Sequence, residues 1–129
     1  MPLESSDGFE LLIVDDDVVN RRVVATLMRD FQLREAADGM ACLEEVAKRK
    51  PDLISLDIMM PGQDGVETCR QLREIKALSN SFIVFLTARV EEYSEVAAFD
   101  MGADDYITKP IKPRALMSRL NAMFRRGSS

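Results

Sequence analysis

Apolar runs of four to five residues alternate along this chain with amphipathic stretches of ten or more, and few folds accommodate that rhythm. Leu11 to Val14, Leu33 to Ala37, Leu53 to Leu56, Phe82 to Leu86 and Tyr106-Ile107 read as strands. The first is apolar throughout, as expected of a strand covered on both faces. Between the strands the period turns helical. Val23, Val24, Leu27, Met28 and Phe31 make one apolar stripe, with Arg21, Arg22, Arg29 and Asp30 expected to face outward. Asp38-Gly39 reads as a turn before a second helix over Met40 to Lys50. The cations Lys48, Arg49 and Lys50 in its last turn complement the negative end of the helix dipole, and Pro51 stops it. Further helices are expected over Val66 to Leu78, over Glu91 to Met101 with Gly102 as its cap, and from Pro113 to about Arg126.

Five βα units within 129 residues exclude a closed eight-stranded barrel, which needs about twice the length. They fit an open α/β fold, doubly wound, whose five-stranded parallel sheet has the flavodoxin-like order 2-1-3-4-5 and helices on both faces. One domain is expected over 9–126, with a loose segment at 1–8 and a tail at 127–129.

Composition removes several functions. There are 17 basic and 22 acidic residues, a net charge of -5, which argues against direct nucleic acid binding. No histidine is present, so Ser-His-Asp and Cys-His catalysis are excluded, as are the common zinc sites. Cys42 and Cys69 fall in separate helices and read as reduced thiols of a cytoplasmic protein. The start MPLESSDGFE has no secretory pattern, and no stretch is long and apolar enough to span a membrane.

Ligands of such sheets sit beyond the carboxyl ends of the strands, where the strand order reverses. Asp15, Asp16 and Asp17 follow the first strand, Asp57 ends the third, Thr87 the fourth, and Lys109 follows the fifth. Strands one and three are neighbours at the reversal, so Asp15, Asp16 and Asp57 should share one crevice. Three carboxylates so close cannot all stay ionised without relief, and a hard divalent cation together with the Lys109 ammonium supplies it. Oxygen ligands alone suit Mg²⁺. A magnesium site beside a lysine and a threonine hydroxyl is suited to a phosphoryl group, and Asp57 is then the natural nucleophile, since carboxylates form acyl phosphates. Taken singly, each residue has a plainer use. Asp16 or Asp17 could cap the first helix, Asp57 could serve a turn, Thr87 could end a strand and Lys109 could be a solvated surface residue.

The segments Leu11-Leu12-Ile13-Val14-Asp15-Asp16-Asp17, Asp57-Ile58-Met59-Met60-Pro61-Gly62 with Asp64-Gly65, Leu86-Thr87-Ala88, and Gly102 to Pro110 resemble, in order and spacing, the receiver domain of bacterial two-component response regulators. The resemblance implies that Asp57 accepts a phosphoryl group from the phosphohistidine of a sensor histidine kinase or histidine phosphotransfer protein. It implies that Asp16, Asp57 and the backbone carbonyl of Met59 hold Mg²⁺, or Mn²⁺ in its place, with Asp15 reaching the metal through water. Lys109, followed by Pro110, matches the phosphate-binding lysine. Thr87 and Tyr106 match a switch pair in which the hydroxyl moves to the phosphoryl group and the ring turns inward. Arg89 stands where bulk flanks the phosphoryl site.

The last helix is similar to that of receivers that dimerise, once phosphorylated, through the fourth helix, fifth strand and fifth helix. Asp105 and Arg119 match one ion pair of that dimer, while Glu95 and Ala115 do not match another. Two readings compete with the receiver. A haloacid-dehalogenase-type phosphatase would use Asp15 as nucleophile, with Asp17 completing its Asp-x-Asp opening and Asp104-Asp105 as its acidic pair. A pseudo-receiver would bind partners without being phosphorylated.

Overall fold

A computed structural model of the chain describes residues 9–58, 65–87, 100, 102–108 and 112–128, with the backbone alone for Thr87, Phe124 and 126–128. Five strands, β1 (Glu10–Val14), β2 (Gln32–Ala36), β3 (Leu53–Asp57), β4 (Phe82–Thr87) and β5 (Asp105–Thr108), form one parallel sheet in the order β2-β1-β3-β4-β5. That is the expected doubly wound order, with its reversal between β1 and β3.

Alternation along the strands builds a core on each face. Leu12, Val14, Ile54, Leu56, Ile83 and Phe85 point to one side. There they meet Cys42 and Val46 of α2 (Gly39–Lys48) and Cys69 and Leu72 of α3 (Gly65–Arg73). Leu11, Ile13, Leu53, Val84, Leu86 and Ile107 point to the other. Their cover is Val24 of α1 (Val18–Leu27), Met28 just beyond it, and Leu116, Leu120 and Met123 of α4 (Pro113–Ser128). Parallel strands buried on both sides need such unbroken apolar sequence.

Several local expectations change. Helix α1 ends at Leu27 and leaves Phe31 to the connection, where it is still buried and meets Phe9 edge to face with ring centres 6.3 Å apart. Val23 of the predicted apolar stripe is exposed, and Arg21 is turned back towards the sheet instead of outward. Asp38 caps α2, accepting the Ala41 N–H at 2.8 Å, so Asp38-Gly39 begins the helix and is not a free turn. Arg49 and Lys50 lie outside α2. Arg49 pairs with Glu10, and its carbonyl accepts a bond from Arg34 at 2.7 Å, so its charge serves a tertiary contact more than the helix dipole. The third helix stops at Arg73, and Lys76–Leu78 forms a short 3-10 turn. Gly102 has φ 101°, the left-handed geometry of a helix C-terminus, while the helix expected over 91–101 lies outside the described residues except for position 100. Helix α4 is the helix that the sequence places fifth, and it continues past Arg126 to Ser128.

Candidate functional site

The β1–α1 corner delivers three consecutive carboxylates, and the structure gives them three different tasks. Asp15 is buried, its N–H donating to Ala36 of β2 at 3.1 Å and its Oδ1 accepting the Asp17 N–H at 2.9 Å. Asp17 caps α1 by accepting the Val19 N–H at 2.8 Å. Asp16 lies between them with its side chain exposed. The ambiguity over which residue caps the helix is therefore resolved in favour of Asp17, and Asp16 is left for the crevice.

Asp57 ends β3 on the neighbouring strand and is buried. Oxygens of Asp15, Asp16 and Asp57, one from each, all lie within 4.8 Å of one another. Ligands on opposite sides of Mg²⁺ stand about 4.2 Å apart, so this spacing fits a small hard cation with little adjustment. Three carboxylates with no imidazole or thiolate are also the donor set such a cation takes. Neither cysteine competes for this role: burial pushes the Cys42 thiol up to about 12 and the Cys69 thiol up to about 11, and both are free, buried and protonated.

The residue that brings a helix N-terminus up to Asp57 is Gly65. Its N–H donates to the Ile58 carbonyl at 2.8 Å. A β-carbon there would stand 2.4 Å from the Asp57 carbonyl oxygen and 2.7 Å from the Ile58 Cα, so only glycine permits this approach. In the sequence Gly65 reads as a turn former. The pair Asp64-Gly65 reads as part of a loop before the third helix, and nothing local in the sequence discloses the contact with Asp57.

Thr87 ends β4, its backbone in register with Thr108, which puts it on the same edge of the sheet as Asp57. Tyr106, opposite Phe85, is half-buried against the core that contains Phe85, Leu56 and Ile58. Lys109, Pro110, Met59, Arg89 and Glu95 lie outside the described residues.

Asp104 and Asp105 occupy the opposite end of β5. Asp104 accepts from Arg73 and from the Ile83 N–H, each at 2.8 Å, and Asp105 pairs with Arg119 at 2.7 Å. They are therefore remote from the carboxylate crevice. With Asp17 engaged as a cap, the acids required by the phosphatase reading do not come together. The Asp105–Arg119 pair, matched above to a dimer contact, is made inside a single chain.

Residues 11–121 match the response regulator receiver domain. The chain belongs to that family. Its relatives include the transcriptional regulatory protein ResD of Bacillus subtilis, 39% identical over 128 residues and covering 98% of this chain and 52% of ResD. The phosphate regulon transcriptional regulatory protein PhoB of Pseudomonas aeruginosa is 40% identical over 121 residues, 92% of this chain and 53% of PhoB. This receiver domain thus spans about half the length of the curated relatives it matches. Among solved structures, a two-component response regulator of Clostridium difficile aligns with a TM-score of 0.85 at 27% identity, covering 94% of this chain and 99% of that one. Chemotaxis protein CheY4 of Vibrio cholerae aligns at 0.82 and 26%, covering 89% and 98%. Membership makes the domain a phosphoacceptor switch in its general role. Among the described residues, no helix is long and apolar enough to cross a membrane.

Proposed function

We propose that Asp57 is the phosphoacceptor of this receiver domain and that Asp16 and Asp57, with the Met59 carbonyl, hold the divalent cation the reaction needs, Asp15 reaching it through water. The observation that carries the reading is the convergence of these three carboxylates within 4.8 Å at the reversal point of the sheet. When bound, Mg²⁺ supplies positive charge that offsets both the clustered carboxylates and the oxygens of the incoming phosphoryl group.

An Asp57 oxygen attacks phosphorus as the P–N bond of the donor's phosphohistidine breaks, and the imidazole leaves with the bonding electron pair and takes a proton from solvent. This chain has no histidine, so the donor residue lies on another domain or another protein, a sensor kinase or phosphotransfer protein. Val18, Val19 and Val23, exposed on α1 beside Asp16, offer that partner an apolar face. Lys109 binds the phosphoryl group, the Thr87 hydroxyl donates to it, and Tyr106 turns inward in response. The domain performs no chemistry beyond its own phosphorylation and dephosphorylation.

The unit over 9–126 acts in the cytoplasm, and its phosphorylated form dimerises through the face carrying β5 and α4. ResD and PhoB are transcriptional regulatory proteins, which supports a transcriptional output carried by sequence other than this acidic domain.

Incubation with Mg²⁺ and acetyl phosphate, followed by mapping of the base-labile adduct, tests the reading. The expected result is one phosphoryl group on Asp57, none in Asp57→Asn and none after chelation. An adduct on Asp15 would return the phosphatase reading, and no adduct in the wild type would return the pseudo-receiver. Light scattering with and without a phosphoryl mimic checks the dimer.

A further inference from the structure

Arg21 occupies the first turn of α1, where a cation opposes the helix dipole and an acid would be the stabilising choice. Its position has another physical reason. Helical side chains slant towards the N-terminus, and this one returns to the β1–α1 corner, where Nη1 donates to the Asp15 carbonyl at 2.7 Å. Nε donates to Glu35 of β2 at 3.0 Å, and the Arg21 side chain is only 16% exposed. Asp15 lies just past the end of β1, so its carbonyl is one that the sheet leaves to other partners.

The consequence falls on Asp16. The peptide group before it is held by Arg21 through the Asp15 carbonyl, and the peptide group after it is held by Asp15 through the Asp17 N–H. Asp16 is thus clamped on both sides through its backbone, while the residue itself is exposed. A bare guanidinium so near would repel a cation, and Glu35 offsets that charge.

We infer that Arg21 is a positioning residue for the cation site, fixing the Asp15–Asp16 peptide so that the Asp16 carboxylate points at the metal, and that Glu35 both orients Arg21 and neutralises it. The inference rests on the reading of the three carboxylates as a Mg²⁺ site. Partners that orient a ligand without touching the metal are commonly worth about tenfold or more in affinity.

Calorimetric titration with Mg²⁺, together with the Asp16 amide resonance in the metal-free chain, tests this without recourse to phosphorylation. Arg21→Ala is expected to weaken Mg²⁺ binding about tenfold and to move the Asp16 amide resonance. Arg70→Ala, which removes one positive charge from the exposed face of α3, should do neither. If Arg21→Ala does not fold, Arg21→Lys is read in its place. Its single ammonium can serve the carbonyl or Glu35 but not both, and about threefold weakening is expected. Glu35→Gln keeps the acceptor and loses the charge, so its weakening of about threefold at low salt should vanish in 0.5 M NaCl. Wild-type affinity and an unmoved Asp16 resonance in the folded Arg21 variant overturn the inference. Wild-type affinity of Glu35→Gln at low salt overturns the neutralising role. A wild-type chain that binds no Mg²⁺ overturns the reading of the site as well, which separates the two failures.

Discussion

The two edges of the sheet treat charge in opposite ways. At the carboxyl edge, Asp15, Asp16 and Asp57 bring like charges within 4.8 Å. At the amino edge several charges have an opposite beside them. Glu10 pairs with Arg49 and, at 3.7 Å, with Arg34, while Asp52 accepts the Glu10 N–H at 2.9 Å. Arg73 donates to the carbonyls of Gly102, Leu78 and Ser81 and pairs with Asp104 at 2.8 Å. The helix directions contribute to this. The C-termini of α2 and α3, rich in Lys48, Arg70 and Arg73, return to the amino edge, and helix N-termini face the carboxyl edge. One edge is built for stability; the other keeps a repulsion among carboxylates that a bound cation relieves.

If that contrast is right, neutralising a charge should have opposite signs at the two edges. Arg73→Ala is expected to destabilise by about 3 kcal/mol in urea unfolding, because it removes donors from three carbonyls and leaves Asp104 without its cation. A loss below about 1 kcal/mol would demote the amino edge to ordinary surface pairing. Gly65→Ala probes the other edge by shape instead of charge. The new methyl meets the Asp57 backbone, and we expect a loss of about 2 kcal/mol together with slower phosphorylation from acetyl phosphate. Normal phosphorylation with that stability loss would mean that Asp57 tolerates a shift of α3.

Asp16→Asn should do the reverse of Arg73→Ala. Without Mg²⁺ and at low salt it should stabilise by about 1 kcal/mol through relief of repulsion, and in saturating Mg²⁺ the variant should become the less stable protein. A destabilised variant in metal-free buffer contradicts a strained carboxyl edge.

The smallest effect belongs to neither edge. On the exposed face of α3, hydrogen bonds from Arg70 and then Gln71 hold the Glu67 carboxyl at about 2. A carboxyl whose folded value lies below its ordinary 4.5 contributes stability above that pH and loses it as pH falls towards about 2. Because the group is solvent-exposed, Glu67→Gln should leave the urea midpoint at pH 7 within error, its trace visible only as a shallower acid limb. A clear change at neutral pH would show that surface pairs here matter as much as those at the amino edge.

Much of the fold was legible because periodicity is a local property. Leu11 to Val14 and Phe82 to Leu86 could be strands buried on two faces and little else, and a doubly wound order then sends Asp15, Asp16 and Asp57 to one crevice without any side chain being seen. Legibility failed where a side chain could choose among partners distant in sequence. Arg21 was expected to face solvent from its helical phase, yet a long flexible stem lets it reach Asp15 and Glu35. Asp104 and Asp105, adjacent acids like those of the β1 corner, are instead divided between Arg73 and Arg119.

The sequence by itself determined the element order, the two-faced core and the strand ends at which the acids stand, because backbone pattern and apolar burial fix these with no knowledge of distant neighbours. Only the tertiary structure decided that Asp17 caps the helix while Asp16 is left to the crevice, that Gly65 meets the Asp57 backbone, and that Arg21 turns inward. The approach of Gly65 to Asp57 and of Arg21 to Glu35 is set by how helices pack on the sheet, and the cap by which of three adjacent acids the β1–α1 corner turns to the Val19 N–H; spacing along the chain carries no record of either.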